Sequence, residues 1–137
     1  MSYPFLLDTC AAMWLVDGTL RPAAAQALAV SYRTGRKAYV SPFTAWEIGL
    51  FSVSGRFRST YSVEGWLKRL TSLPGIALAD LTARVLLESW QLPGKLNRDP
   101  ADRIIAATAR EYGYTVMTRD RAMLAYARQG HVSAVEC

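Results

Sequence analysis

Apolar residues along this chain fall in short blocks, and two periodicities alternate between polar turns. Tyr3-Pro4-Phe5-Leu6-Leu7 is a continuous apolar run that ends at Asp8-Thr9, which predicts a buried strand leading straight into a helix. After the Asp17-Gly18 turn, the alanine-rich stretch Pro22 to Tyr32 predicts a helix. Ala38-Tyr39-Val40 predicts a second strand, and Ser41-Pro42 supplies an N-cap and a first-turn proline for a helix reaching about Val53. A basic connector, Gly55 to Ser62, leads to an amphipathic helix from Val63 to Leu73. Ile76-Ala77-Leu78 then predicts a third strand, and Thr82 to about Gln91 another helix.

The last third has the clearest pattern. Asp99-Pro100-Ala101-Asp102 opens a helix carrying Ile104, Ile105, Thr108, Ala109 and Tyr112 at helical spacing, and Gly113 stops it. Tyr114 to Met117 predicts a strand, Arg121 to Gln129 a helix, and Val132 to Val135 a final strand. Strands alternating with helices argue for an α/β chain with a central, mainly parallel sheet covered on both faces, a three-layer α/β/α architecture. No repeat or linker divides residues 1–137, so a single domain is expected. In such sheets, ligands bind beyond the carboxyl ends of the strands.

Composition narrows the chemistry. The chain has 137 residues, 51% of them hydrophobic, which suffices for a core and excludes intrinsic disorder. Its longest uncharged stretch, Pro22 to Tyr32, has 11 residues. A spanning helix needs about 18 or more apolar residues, so no membrane is involved. The start lacks a basic leader, and a cytoplasmic protein is expected. Cys10, Cys137 and the lone His131 cannot form a four-ligand zinc site or a two-histidine acid–base pair. An enzyme of this composition works with carboxylates or with a metal. The net charge is +5, and all sixteen basic residues except Lys37, Lys68 and Lys95 are arginine, whose planar fork suits phosphate.

The acids supply the candidate chemistry. Asp8 closes the first strand and Asp120 follows the strand ending at Met117, so parallel pairing places both at one edge of the sheet. Asp102 lies in the first turn of the intervening helix. Taken singly, each aspartate has a plain alternative as a helix cap, with Asp99 as N-cap and Asp102 at the capping-box position. Glu47 resists that alternative, because it is the only charge between Pro42 and Val53 and lies past the first turn. It needs an arginine partner, a partner surface or a wet cleft. Carboxylates from Asp8, Glu47, Asp102 and Asp120 at one edge would repel one another unless a divalent cation sat among them. Oxygen-only donors select Mg²⁺, with Mn²⁺ as the other candidate. An acidic pocket on a basic surface is what a metal-dependent nuclease needs.

Four blocks in order carry a resemblance. They are Leu6-Leu7-Asp8-Thr9, then Ser41-x-x-Thr44-x-Trp46-Glu47-Ile48, then Arg98-Asp99-Pro100-x-Asp102-Arg103-Ile104-Ile105-Ala106-Ala107-x-Ala109, then Val116-Met117-Thr118-Arg119-Asp120. Together they resemble the PIN-domain family, and within it the VapC-type toxins of bacterial toxin–antitoxin pairs. That resemblance implies a Mg²⁺-dependent endoribonuclease acting on RNA, a homodimer, silenced by a cognate antitoxin protein. It further implies catalytic and metal-binding roles for Asp8, Glu47, Asp102 and Asp120, with Thr9, Thr118 and Asp99 in support. The chain departs from the family pattern at Cys10, Phe51, Asn97 and Ala101, none of which removes a carboxylate.

Arg98, Arg103, Arg119 and Arg121 flank the acids and are candidate holders of substrate phosphate. The stretch Phe51 to Leu70, with Phe57, Tyr61 and Trp66 among basic residues, is a candidate antitoxin groove, with ordinary core packing as the alternative. An aspartate-based phosphohydrolase fits poorly, since Cys10 stands where its second aspartate belongs. A catalytically inactive RNA- or partner-binding module on the same fold is the other reading. Its four acids would then be caps that ignore Mg²⁺.

Overall fold

The computed structural model describes residues 4–137. Strand β1 (Phe5–Leu7) forms where the sequence puts three consecutive apolar side chains, and all three are fully buried. Tyr3, expected to begin it, lies outside the described residues. Beside it run β2 (Ala38–Val40), β3 (Ile76–Leu78), β4 (Thr115–Thr118) and β5 (Ser133–Glu136). The sheet order is β3-β2-β1-β4-β5 and every pairing is parallel, so the expectation of a mainly parallel sheet is met in full. Continuous burial of β1 and β4 explains why those strands carry no polar alternation.

Among the described residues, seven helices cover the sheet: α1 (Thr9–Asp17), α2 (Pro22–Arg33), α3 (Phe43–Val53), α4 (Val63–Ser72), α5 (Ala83–Glu88), α6 (Pro100–Tyr112) and α7 (Arg121–Arg128). Two apolar clusters result. One joins β1 and β2 to α1, α3 and α4 through Phe5, Leu7, Val40, Ile48, Trp66 and Leu70. The other joins Leu6 and Val116 to α6 and α7 through Ile105, Ala109, Met123 and Tyr126. Adjacent residues Leu6 and Leu7 thus serve opposite faces, as strand pleating requires. Among the described residues, no helix is long and apolar enough to cross a membrane.

Two local expectations change. The helix expected to reach Gln91 ends at Glu88. The Ser89 carbonyl is gripped by the Arg103 Nε–H at 2.8 Å, and Pro93 follows without an N–H, so the chain leaves the helix into turns. Ser41 helps start α3 without being its N-cap residue: its hydroxyl accepts the Phe43 N–H at 3.1 Å, while Pro42 occupies the cap position.

Register sets the site. Leu7 pairs with Val40 on one side and Met117 on the other, so the residues that follow these strands emerge at a single edge. That edge receives Asp8, Thr118 and the start of α3.

Candidate active site

Asp8 leaves β1 and caps α1: its Oδ1 accepts the Ala11 N–H at 2.8 Å. Its Oδ2 accepts the hydroxyl of Thr118, which is fully buried at the end of β4. The same Thr118 oxygen accepts the Asp120 N–H at 2.9 Å, and Asp120 Oδ2 caps α7 through the Met123 N–H at 2.8 Å. One buried hydroxyl therefore ties two carboxylate-bearing turns together. On α3, Glu47 Oε1 accepts the hydroxyl of Thr9, whose oxygen lies 3.0 Å from the buried Thr44 hydroxyl. Asp102, on the first turn of α6, accepts the Asn97 Nδ2–H at 2.9 Å.

Cap and site roles separate at α6. Asp99 is the N-cap, accepting the Ala101 N–H at 3.0 Å. The capping box does not close: the Asp99 N–H donates to Asn97 Oδ1 at 3.0 Å, and Asp102 turns to the Asn97 amide. Asp102 is thus left out of the cap. Asn97 holds Asp102, a contact that spacing did not predict, since its only signal is a side chain able to accept and donate five residues before an acid. Thr44, part of the Trp46-Glu47 block, backs the Thr9 hydroxyl one helical turn before Glu47.

Electrostatics bring the acids into one neighbourhood. Burial raises the Asp102 carboxyl to about 6; the Asn97 hydrogen bond opposes the shift, and the charges of Asp120, Asp99 and Asp8 add to it. Burial also raises Asp8, against the Thr118 and Ala11 hydrogen bonds, with Asp120 raising it further and Arg119 lowering it. Glu47 is raised by burial, with the Thr9 hydrogen bond opposing and Asp99 and Asp8 reinforcing. The Cys10 thiol, at the start of α1, is pushed up by burial and then by Asp8, Glu47, Asp102 and Asp120.

The donors suit a hard cation in kind, being oxygen throughout, and the mutual repulsion is of the sort a divalent ion relieves. Among the described residues, no three His, Cys, Asp or Glu side chains form a group that could hold a metal ion by themselves. A divalent ion here would have to be held by fewer carboxylates together with waters or substrate oxygens, as Mg²⁺ commonly is.

The arginines divide. Arg103 donates to three backbone carbonyls, of Ser89 at 2.8 Å and of Leu96 and Asn97 at 3.1 Å. Arg119 lies 3.6 Å over the Trp14 ring and donates to the Cys137 carbonyl at 3.0 Å. Arg98 and Arg121 are exposed. In the stretch Phe51 to Leu70, Trp66 is core, with Phe57 edge-on against it at 6.4 Å, and Tyr61 is exposed.

Comparison with known proteins agrees with this geometry. The PIN domain model matches residues 5–129. The chain belongs to the PIN-domain family. Ribonuclease VapC22 of Mycobacterium tuberculosis is 28% identical over 116 residues, 85% of this chain and 86% of that one. Two solved structures share the PIN-domain fold at low identity. VapBC2 from Rickettsia felis, bound to a DNA fragment from its promoter, matches with a TM-score of 0.70 and 15% identity, covering 96% of this chain and 97% of that chain. DNA-bound VapBC from Salmonella typhimurium matches with a TM-score of 0.64 and 16% identity, covering 98% of each chain.

Proposed function

We propose that this PIN domain is a Mg²⁺-dependent endoribonuclease, the toxin of a VapBC-type pair acting in the cytoplasm. One observation carries the reading: at the carboxyl edge of the sheet, the buried Thr118 hydroxyl donates to Asp8 and accepts the Asp120 N–H, holding two acid-bearing turns together. The relation to Ribonuclease VapC22 supports the reaction class. The likeness of fold to chains of VapBC complexes supports an antitoxin partner. A homodimer is part of the same proposal.

Asp8, Glu47, Asp102 and Asp120 are the residues from which the cation would draw its one or two carboxylates, with Mn²⁺ as an alternative. When bound, such an ion neutralises charge on the scissile phosphate and makes water a better nucleophile. The protein contributes orientation. Thr118 holds Asp8, Thr9 holds Glu47 with Thr44 behind it, and Asn97 holds Asp102, so three of the four carboxylates are oriented by a side-chain donor. Asp99 supports by holding the start of α6. Exposed Arg98 and Arg121 are the candidates to meet phosphates, whereas Arg103 and Arg119 hold backbone carbonyls.

The test is cleavage of total RNA by purified protein with Mg²⁺, with EDTA and with Asp8→Asn. Discrete fragments that need both the metal and Asp8 are expected. Intact RNA throughout, from folded protein free of antitoxin, would favour the inactive binding module. The lack of a ready three-acid group among the described residues gives that second reading its footing.

A further inference from the structure

We propose that Arg103 is a positioning residue for Asp102 that acts through Asn97, so that the segment joining α5 to α6 aims one acid of the edge. The proposal rests on the metal-dependent nuclease reading and names what orients one of its carboxylates before metal or RNA arrives.

Asn97 is exposed, so packing does little to direct its side chain. Hydrogen bonds direct it instead. Its Oδ1 accepts the Asp99 N–H at 3.0 Å, and its Nδ2 donates to Asp102 Oδ2 at 2.9 Å. An amide oxygen only accepts and an amide nitrogen only donates, so the first bond fixes which end meets the carboxylate. The backbone carbonyl of the same residue accepts from Arg103 Nη1 at 3.1 Å. An asparagine whose backbone is already fastened loses less entropy in holding Asp102 than one on a free loop.

Arg103 does the fastening. Its Nε–H donates to the Ser89 carbonyl at 2.8 Å, and its Nη1 is shared between the Leu96 and Asn97 carbonyls at 3.1 Å each. A rigid guanidinium fork can hold both ends of the segment 89–97 at once, which an ammonium cannot. The Tyr126 hydroxyl holds the Pro93 carbonyl between those ends.

Asp102 and Arg103 are neighbours on α6, where successive side chains diverge by about 100° and do not face each other. Among the described residues the ion pairs are Arg21–Glu136 and Arg84–Glu111, so Arg103 makes none with the acid beside it. A closed circuit results. It runs from Asp102 to Arg103 through the helix backbone, from Arg103 to the Asn97 carbonyl, and from the Asn97 amide back to Asp102. Such a circuit orients the carboxylate and leaves its charge for a cation. The competing role for Arg103 is contact with substrate phosphate, and the two roles move different quantities.

The test measures Mn²⁺ binding to the full chain without RNA, from the loss of the free-ion paramagnetic resonance signal. The wild type, Asn97→Ser, Arg103→Lys, the double variant and Asp102→Asn are compared. Serine can still accept the Asp99 N–H but is too short to reach Asp102, so it keeps the turn and removes the hold. Thermal unfolding in EDTA checks that each variant folds, and Arg103→Gln replaces the lysine variant if that one does not. Asn97→Ser and Arg103→Lys should each weaken Mn²⁺ binding about tenfold. The double variant should lose little more than either, because both changes act along one path. Affinity for a short oligoribonucleotide in EDTA, and its salt dependence, should stay as in the wild type.

Unchanged Mn²⁺ affinity in either single variant overturns the proposal, as do losses that multiply in the double variant. Weaker RNA binding with a flatter salt dependence in Arg103→Lys, and Mn²⁺ affinity intact, assigns Arg103 to substrate phosphate instead. Cleavage of total RNA in Mg²⁺ is scored in parallel. Cleavage that needs the metal and Asp102, with Mn²⁺ affinity indifferent to Asn97 and Arg103, defeats this proposal alone. A wild type that neither binds Mn²⁺ nor cleaves RNA defeats the enzyme reading and the proposal together.

Discussion

Asp102→Asn should make the metal-free protein more stable at neutral pH and abolish RNA cleavage. The folded-state carboxyl titrates at about 6, against 3.8 for an unperturbed aspartate, chiefly because burial disfavours its charged form and Asp120, Asp99 and Asp8 repel it. A group with a raised folded pKa binds protons more readily in the native state, so stability falls as pH rises through the interval between those two values. The cost is fully present above about pH 6 and absent below about pH 4. Two pKa units correspond to roughly 3 kcal/mol. Partial solvent access and the lost favourable charge near the α6 N-terminus, about 0.3–1 kcal/mol, reduce the net gain to about 1–2 kcal/mol. The amide oxygen can still accept from Asn97, so no hydrogen bond is sacrificed. Thermal unfolding in EDTA at pH 7.5 should rise by roughly 3–6 °C, and the difference should vanish near pH 4. Adding Mg²⁺ should stabilise the wild type more than the variant. A variant no more stable than wild type at pH 7.5 would refute the claim that this carboxylate stands in a repulsive, desolvated place.

Thr118→Val removes the hydroxyl shared by Asp8 and the Asp120 backbone, and should cost about 1–3 kcal/mol in denaturant unfolding while reducing cleavage. An unaffected cleavage rate would show that Asp8 needs no such anchor. Asp120→Ser keeps a side-chain oxygen for the Met123 N–H and removes the charge, so stability in EDTA should hold while cleavage is lost; Asp120→Ala should in addition lose about 1 kcal/mol. Cleavage surviving in the serine variant would reduce Asp120 to a cap. Trp66→Ala should destabilise by about 3–5 kcal/mol, since the ring is 1% exposed, and a smaller loss would place the ring outside the core.

The strands and most helices were legible because their signals are local. Three buried apolar residues before Asp8, a Pro100 at the first helical position and a Gly113 at φ +73° each fix an element within a few residues of sequence. Asp8 and Asp120 could be placed at one edge because parallel pairing leaves little choice once the strands are known. What escaped the sequence depends on contacts far along the chain. The end of α5 at Glu88 is set by Arg103, whose guanidinium arrives from the first turn of α6. The escape of Asp102 from a capping box follows from Asn97 taking both the Asp99 N–H and the Asp102 carboxylate, a choice among competing hydrogen bonds that spacing does not decide. Arg119 was legible as a basic residue beside an acid, but its seat on Trp14 needs the fold to bring α1 and the β4–α7 turn together.

The competition between cap and ligand roles is resolved differently at each acid, and the differences have a common cause. In a parallel sheet, each strand end turns into a helix N-terminus at the same edge, and that end of a helix carries free N–H groups and a partial positive charge. A carboxylate there is stabilised by the cap bond it makes, which is how Asp8 and Asp120 remain tolerable beside each other. Capping uses one lone pair of one oxygen, and even at Asp8, whose second oxygen accepts from Thr118, further lone pairs remain, so the two roles are compatible. Glu47 and Asp102 make no cap bond; side-chain donors, Thr9 and Asn97, take that part. Four caps alone would need neither of those donors. Two capped and two side-chain-held carboxylates are what the proposed site asks for, since a helix start alone explains Asp8 and Asp120 but neither Glu47 nor Asp102.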